Sequence, residues 1–329
     1  MASKYSMNQL NSRSKLQQIG KWIFGVFIFQ LILVNISAAF HAHRITHYYD
    51  DDKVRNLRSS SGTIFLRTWR LMVGRKFPKS LIRQYPQTSY DTVQFKTKKG
   101  FIIDSWYLRA DSAKGTVILF HGLTSNKGNN LAEAYEFISM GYNAMLVDLR
   151  AHGNSGGKNN SIGVDEAEEV KLAYDYLRAK GEKNIVLWGM SLGAAVITRA
   201  VYDYNIQPQK IILEMPFDRL QDHIKARARV LGFPDEPFGF LVTLWTGIEQ
   251  GYWGFGHQTS KYATKIKCPV LLQWGARDPF VTEAEIKRIF KNVAANNKIL
   301  VIYEGAFHEP LIGHDPGRWL NEIEGFLSR

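Results

Sequence analysis

Residues 22–34 are the most hydrophobic run of the chain, broken only by Gly25 and Gln30. Lys4, Arg13, Lys15 and Lys21 precede it, with no acid among them. Two readings compete for this stretch. As a signal peptide it has a basic leader, a 13-residue apolar core and a small-residue exit at Ser37-Ala38-Ala39. As a signal anchor it extends to Phe40, 19 residues and about enough to cross a bilayer. Either way the charge asymmetry keeps the N-terminus cytoplasmic and sends the remainder across. A second pattern occupies 63–76, where Phe65, Trp69 and Met72 share one helical face and Arg67, Arg70 and Arg75 lie elsewhere. A membrane-surface helix and a helix packed on the flank of a domain both require that pattern.

From residue 91 the pattern becomes regular. Segments 92–97 and 101–108 flank Lys98-Lys99-Gly100 and predict a hairpin. Apolar strands follow at 116–120, 143–147, 184–188, 210–213, 270–274 and 299–303, separated by helical periodicity. In the helix expected from Asp165, acids load the first turn, and Ala167, Val170, Ala173, Tyr174 and Leu177 line one face. Continuous Val, Ile and Leu strands alternating with helices predict a mostly parallel eight-stranded α/β sheet with helices on both faces. An aromatic-rich insertion at 216–266 interrupts the repeat after the sixth strand and predicts a small helical cap. The expected organisation is an anchor or signal at 1–40, a basic juxtamembrane segment at 41–90 and a catalytic domain at 91–329.

Charge changes the picture in one respect. The chain carries a net charge of +12, but residues 1–90 hold fourteen Lys and Arg against three Asp. The basicity therefore belongs to the N-terminal segment, and the remainder, near +1, has no nucleic-acid footprint. Cys268 is the single cysteine, which excludes a disulfide framework and a cysteine metal cluster.

Candidate chemistry centres on Gly189-Met190-Ser191-Leu192-Gly193, which joins a strand to an Ala-rich helix and so has the context of a nucleophile elbow. Gly153-Asn154-Ser155-Gly156-Gly157 fits the same pattern but runs into a loop, leaving Ser155 without an elbow. A serine nucleophile needs a histidine base and a carboxylate that orients it, expected in the chain order Ser, acid, His. Asp278 follows the 270–274 strand, and His308 follows the last strand; His314 is an alternative base. Asp148 precedes the serine and reads as structural, as does His121, whose ring would brace its loop. Oxyanion donors are expected from the N–H groups of Leu192 and of Leu123 in His121-Gly122-Leu123.

Those landmarks, together with Asp148-Leu149-Arg150-Ala151-His152-Gly153-Asn154-Ser155, Gly275-Ala276-Arg277-Asp278 and Phe307-His308, resemble the α/β-hydrolase superfamily over about residues 90–329. The likeness is nearest to its serine-aminopeptidase-like, monoacylglycerol-lipase-like and bacterial membrane-associated esterase-like members. The His-Gly-Gly-Gly motif of hormone-sensitive-lipase-like enzymes is lacking. The resemblance implies an α/β-hydrolase fold, a triad of Ser191, Asp278 and His308, and oxyanion donors at Leu123 and Leu192. It also implies hydrolysis of a small ester or acyl substrate without metal or organic cofactor. Peptide or thioester hydrolysis uses the same triad, and a silent membrane-tethered binding module is the reading from another class.

Overall fold

The computed structural model describes residues 2–50 and 63–329, with side chains described from residue 15 onward apart from the 51–62 gap. The side chains of Lys4 and Arg13 in the basic leader, and residues 51–62 of the segment expected to be juxtamembrane, lie outside what is described.

Eight strands form one sheet: β3 (Tyr90–Lys96), β4 (Ile102–Leu108), β5 (Thr116–Phe120), β6 (Asn143–Val147), β7 (Ile185–Met190), β8 (Lys210–Glu214), β9 (Val270–Gly275) and β10 (Lys298–Tyr303). Their spatial order is β10-β9-β8-β7-β5-β6-β4-β3. The expected hairpin forms as β3 and β4, which run antiparallel to each other, and β4 joins β6 antiparallel; all other pairings are parallel. The reason is visible in the sequence: β5 and β9 are buried at every position, so both sheet faces must be covered. Helices α3 (Leu131–Ser139), α4 (Ala167–Ala179), α5 (Leu192–Tyr204), α9 (Glu283–Asn292) and α11 (Pro316–Leu327), the last preceded by the short α10 (Leu311–His314), supply the cover. Phe137 of α3 meets Trp319 of α11 edge-on at 5.7 Å. The α4 helix begins at Ala167 rather than Asp165, because Asp165 accepts from Arg150 and Lys99 instead of capping.

The insertion after β8 forms the helices α6 (Leu220–Val230), α7 (Phe238–Gln250) and α8 (Thr259–Ala263). Helix α1 (Ala2–Thr46) packs against α7. Trp245 donates its indole N–H to Asn35 at 2.8 Å, His43 contacts Glu249, and the His41 ring stands edge-on to Phe233 and Phe238. Beyond α1, the short parallel pair of β1 (Tyr48–Tyr49) and β2 (Phe77–Pro78) holds the next segment down, and the Tyr48 N–H donates to Lys158 O at 2.7 Å. The amphipathic stretch folds as α2 (Ile64–Val73), capped by Thr63. Its end is tied to α1 by the Ser37 hydroxyl on Met72 O, whereas Phe65, Trp69 and Met72 stay exposed.

Candidate active site

The β7–α5 turn is tight because two glycines allow it. A Cβ on Gly189 would sit 2.6 Å from the Gly193 carbonyl carbon, and one on Gly193 would collide with the Phe120 carbonyl. Between them Ser191 adopts φ +54°, ψ −111°, a conformation unfavourable to a side chain other than glycine's. Its N–H is tied to Glu214 O at 2.7 Å, and its hydroxyl stands at the N-terminal end of α5.

Two other strand exits meet this serine. The turn after β9 and the loop after β10 are stitched together by Arg277 N–H to Ala306 O and Ala276 N–H to Tyr303 O, both 2.9 Å. Asp278 is thereby held beside His308. Asp278 Oδ1 accepts the N–H groups of Phe280 and Val281 at 2.7 and 3.0 Å, leaving Oδ2 to accept from His308 Nδ1 at 2.6 Å. With its proton on Nδ1, His308 turns Nε2 to the Ser191 hydroxyl at 2.9 Å. The Asp278 side chain is fully buried and the His308 ring is not, so the carboxylate is dry and the imidazole reachable. The fold thus brings Ser191, His308 and Asp278 into one chain of hydrogen bonds. His314 pairs with Glu309 at 3.2 Å and does not approach the serine. Ser155 is buried, donating to Asp148 O and accepting from Asp104 N–H.

The loop after β5 lies over the same point, with Gly122 close enough that a Cβ there would lie 3.6 Å from the Ser191 Cβ. Two buried histidines fix its path. His121 donates from Nδ1 to Gly122 O at 2.8 Å and accepts the Leu149 N–H on Nε2 at 3.1 Å. His152 donates to Arg150 O and accepts the Thr124 N–H at 3.2 Å. Burial pushes His121 down to about 4 and His152 to about 3, so both stay neutral and keep these donor and acceptor roles at neutral pH. Among the described residues no protein acceptor takes the N–H of Leu123 or Leu192. Asp148 anchors the loop from below: with Asp104 it binds the buried Lys127 ammonium at 2.6 and 2.5 Å. Cys268 is packed away, its thiol raised to about 12 by burial.

Sequence reasoning missed Tyr48, His223 and Arg227, which border this centre from the N-terminal segment and the cap. Phe280 stands edge-on to His308 at 5.3 Å, with the Arg227 guanidinium 5.5 Å from the Phe280 ring. The only advance signal was the His223–Arg227 spacing of four on one helix. Cavities of about 360 and 240 Å³ are lined by cap residues such as Trp253 and Tyr252, and none of the three hydrogen-bonded residues borders them.

Comparison with known proteins places this geometry in context. The family model described as serine aminopeptidase, S33, matches residues 111–235 and 248–315, more than half of the chain. An uncharacterized protein, YqkD, of Bacillus subtilis is 25% identical over 235 residues, covering 70% of this chain and 76% of its own. Lysophosphatidylserine lipase ABHD12 of Xenopus tropicalis is 26% identical over 218 residues, covering 61% of this chain and 53% of its own. This chain thus spans about half the length of that lipase. Among solved structures, the Pyrococcus furiosus esterase Pf2001 superposes with a TM-score of 0.63 at 24% identity, covering 77% of this chain and 96% of the esterase. Sheet order, helical cover and family match agree, and the chain belongs to the serine aminopeptidase S33 family as an α/β-fold serine hydrolase.

Proposed function

We propose that this chain hydrolyses carboxylic esters of acyl or lipid-like substrates through an acyl-enzyme, held at a membrane by α1. The observation that carries the reading is the unbroken relay from Asp278 through His308 to Ser191. Ser191 Oγ attacks the ester carbonyl while His308 Nε2 takes its proton. Asp278 holds the imidazole in the tautomer that leaves Nε2 free to accept. The tetrahedral oxyanion is met by the N–H groups of Leu123 and Leu192. His308 then returns the proton to the departing alcohol, and water repeats the sequence on the acyl-enzyme. Esterase and lipase relatives support an ester or lipid substrate.

The anchor reading is supported by the exposed apolar surface of α1. Its Lys15–Thr46 span has an 18-residue window of mean hydropathy 2.3, of which only 11% is buried. Downstream of that surface Ala38 and Ala42 are fully buried, so the cleavage point after Ala39 lies inside a packed helix. The exposed aromatic face of α2, tied to α1, supports its seat at the same surface.

A fluorescent fluorophosphonate tests the catalytic assignment. Labelling of the wild type at Ser191, located by peptide mass spectrometry and absent from Ser191→Ala, is the expected result. An adduct at Ser155, or no adduct on folded protein, would remove the triad assignment.

A further inference from the structure

Two orphaned hydrogen-bond donors and an arginine without a carboxylate partner lie around the catalytic residues. Arg227 of α6 gives its Nε–H to His223 Nε2 at 2.8 Å and lays its guanidinium over Phe280, the ring that faces His308. Among the described residues no carboxylate lies within salt-bridge reach of that guanidinium. Because His223 Nε2 accepts from Arg227, the His223 proton sits on Nδ1, which is buried with no partner. Tyr48 belongs to the N-terminal segment, its ring 4.8 Å from that of His152. Its hydroxyl lies by Thr124 of the oxyanion loop and finds no acceptor. Arg227 reaches the centre through Phe280 at His308, and Tyr48 reaches it through His152, which accepts the Thr124 N–H of the loop beside Ser191. Burial raises the Tyr48 phenol and drives His223 well down, leaving one a protonated donor and the other a neutral one.

A half-buried guanidinium without a carboxylate partner favours an anion, and a buried donor with no acceptor is unfavourable. The guanidinium and the two orphaned donors, all offering hydrogens, leave an unfilled demand for negative charge. We propose that Arg227, His223 and Tyr48 form an anion-binding subsite beside Ser191, and that the ester turned over carries a phosphate or carboxylate near its scissile bond. Recognition of a peptide's α-ammonium would require the opposite charge at this place. The ester half of the inference rests on the hydrolase reading above; binding of the anion does not.

The test uses the full chain in detergent micelles and three ether-linked, non-hydrolysable probes of equal chain length: an alkylglycerol, its phosphate monoester and the matching alkylglyceric acid. Titration calorimetry is expected to show an anionic probe binding about 10- to 100-fold more tightly than the neutral one, as for charge-assisted hydrogen bonds. A tighter phosphate than carboxylate assigns the group as phosphate; the reverse assigns carboxylate. Arg227→Gln is expected to abolish the preference, Arg227→Lys to restore part of it, and Tyr48→Phe to reduce it about 3- to 10-fold. Equal affinity of the wild type for all three probes, or a preference that survives Arg227→Gln, overturns the proposal. In turnover, the ratio of kcat/KM for an acylglycerol phosphate over the acylglycerol should fall in Arg227→Gln; an equal loss on both substrates marks a packing role and overturns it. Should Ser191 resist fluorophosphonate while the anion preference holds, the hydrolase reading fails and the subsite stands.

Discussion

Ser191 occupies a backbone conformation that costs a non-glycine residue about 1–3 kcal/mol, and β7, α5 and the flanking glycines together impose it. Removing the hydroxyl should therefore leave the fold intact while turnover falls by about 10⁶-fold, as kcat on a 4-nitrophenyl ester would show. Asp278→Asn should lower kcat by about 10⁴-fold, since an amide in that place favours the wrong imidazole tautomer. Glu214 shows a different residue-scale effect. Its carboxylate receives the indole N–H groups of Trp188 and Trp319, and burial still raises it to about 7 from 4.5. The folded state thus holds that proton more tightly than the unfolded chain, so the group's stabilisation is full below about pH 4.5 and is lost as pH climbs through about 7. Glu214→Gln keeps an acceptor for both indoles. It should flatten the fall in Tm between about pH 5 and 8, and an unchanged slope by scanning calorimetry would contradict this origin. These side chains differ in how legible they are. Ser191, Asp278 and His308 sit at strand exits, where chain order and turn residues announce them. Glu214 ends a strand in a run that reads simply as apolar, and Tyr48 and Arg227 reach the centre only through tertiary packing.

At the scale of elements, the strands were readable because each is a short apolar run bounded by turn residues. Their order in the sheet follows from right-handed crossovers rather than from any residue. Helix α4 starts two residues later than its acids suggest, since Asp165 serves Arg150 across the loop. The loop between β5 and α3, proposed to supply an oxyanion donor, depends on side chains to hold its shape. His121→Ala removes the link between Gly122 O and the Leu149 N–H, and should lower kcat about 10- to 100-fold with little change in KM. Leu123→Ala, which keeps the backbone donor, should lower kcat less than about threefold. Steady-state kinetics on one ester compares the two directly.

For the whole molecule, the packing of the segment before residue 90 carries the prediction. Residues 35–49 lie against the cap and the 158–160 loop and pack as part of the same body. Deleting residues 1–34 should release the protein from membranes yet leave its Tm within a few degrees. Deleting residues 1–50 removes Tyr48 and uncovers Phe233 and Phe238, and should lower Tm by more than about 5 °C. Flotation and thermal scans of the two truncations separate attachment from support.

Helix α1 is continuous from Ala2 to Thr46, about 68 Å at 1.5 Å per residue, and its last turns are fastened to the cap. Under the anchor reading proposed above, a stiff post rather than a slack cord joins the body to the bilayer and narrows its freedom of height and heading. The mouth of the site is aimed once, when the post is set, and afterwards samples only what diffuses laterally past it. Its effective substrate concentration is then a density per area of membrane, so turnover should track the mole fraction of ester in the bilayer and ignore the total amount of lipid. Shifting the post's register by one residue would swing the body about 100° around the membrane normal, changing the aim of an unaltered catalytic centre.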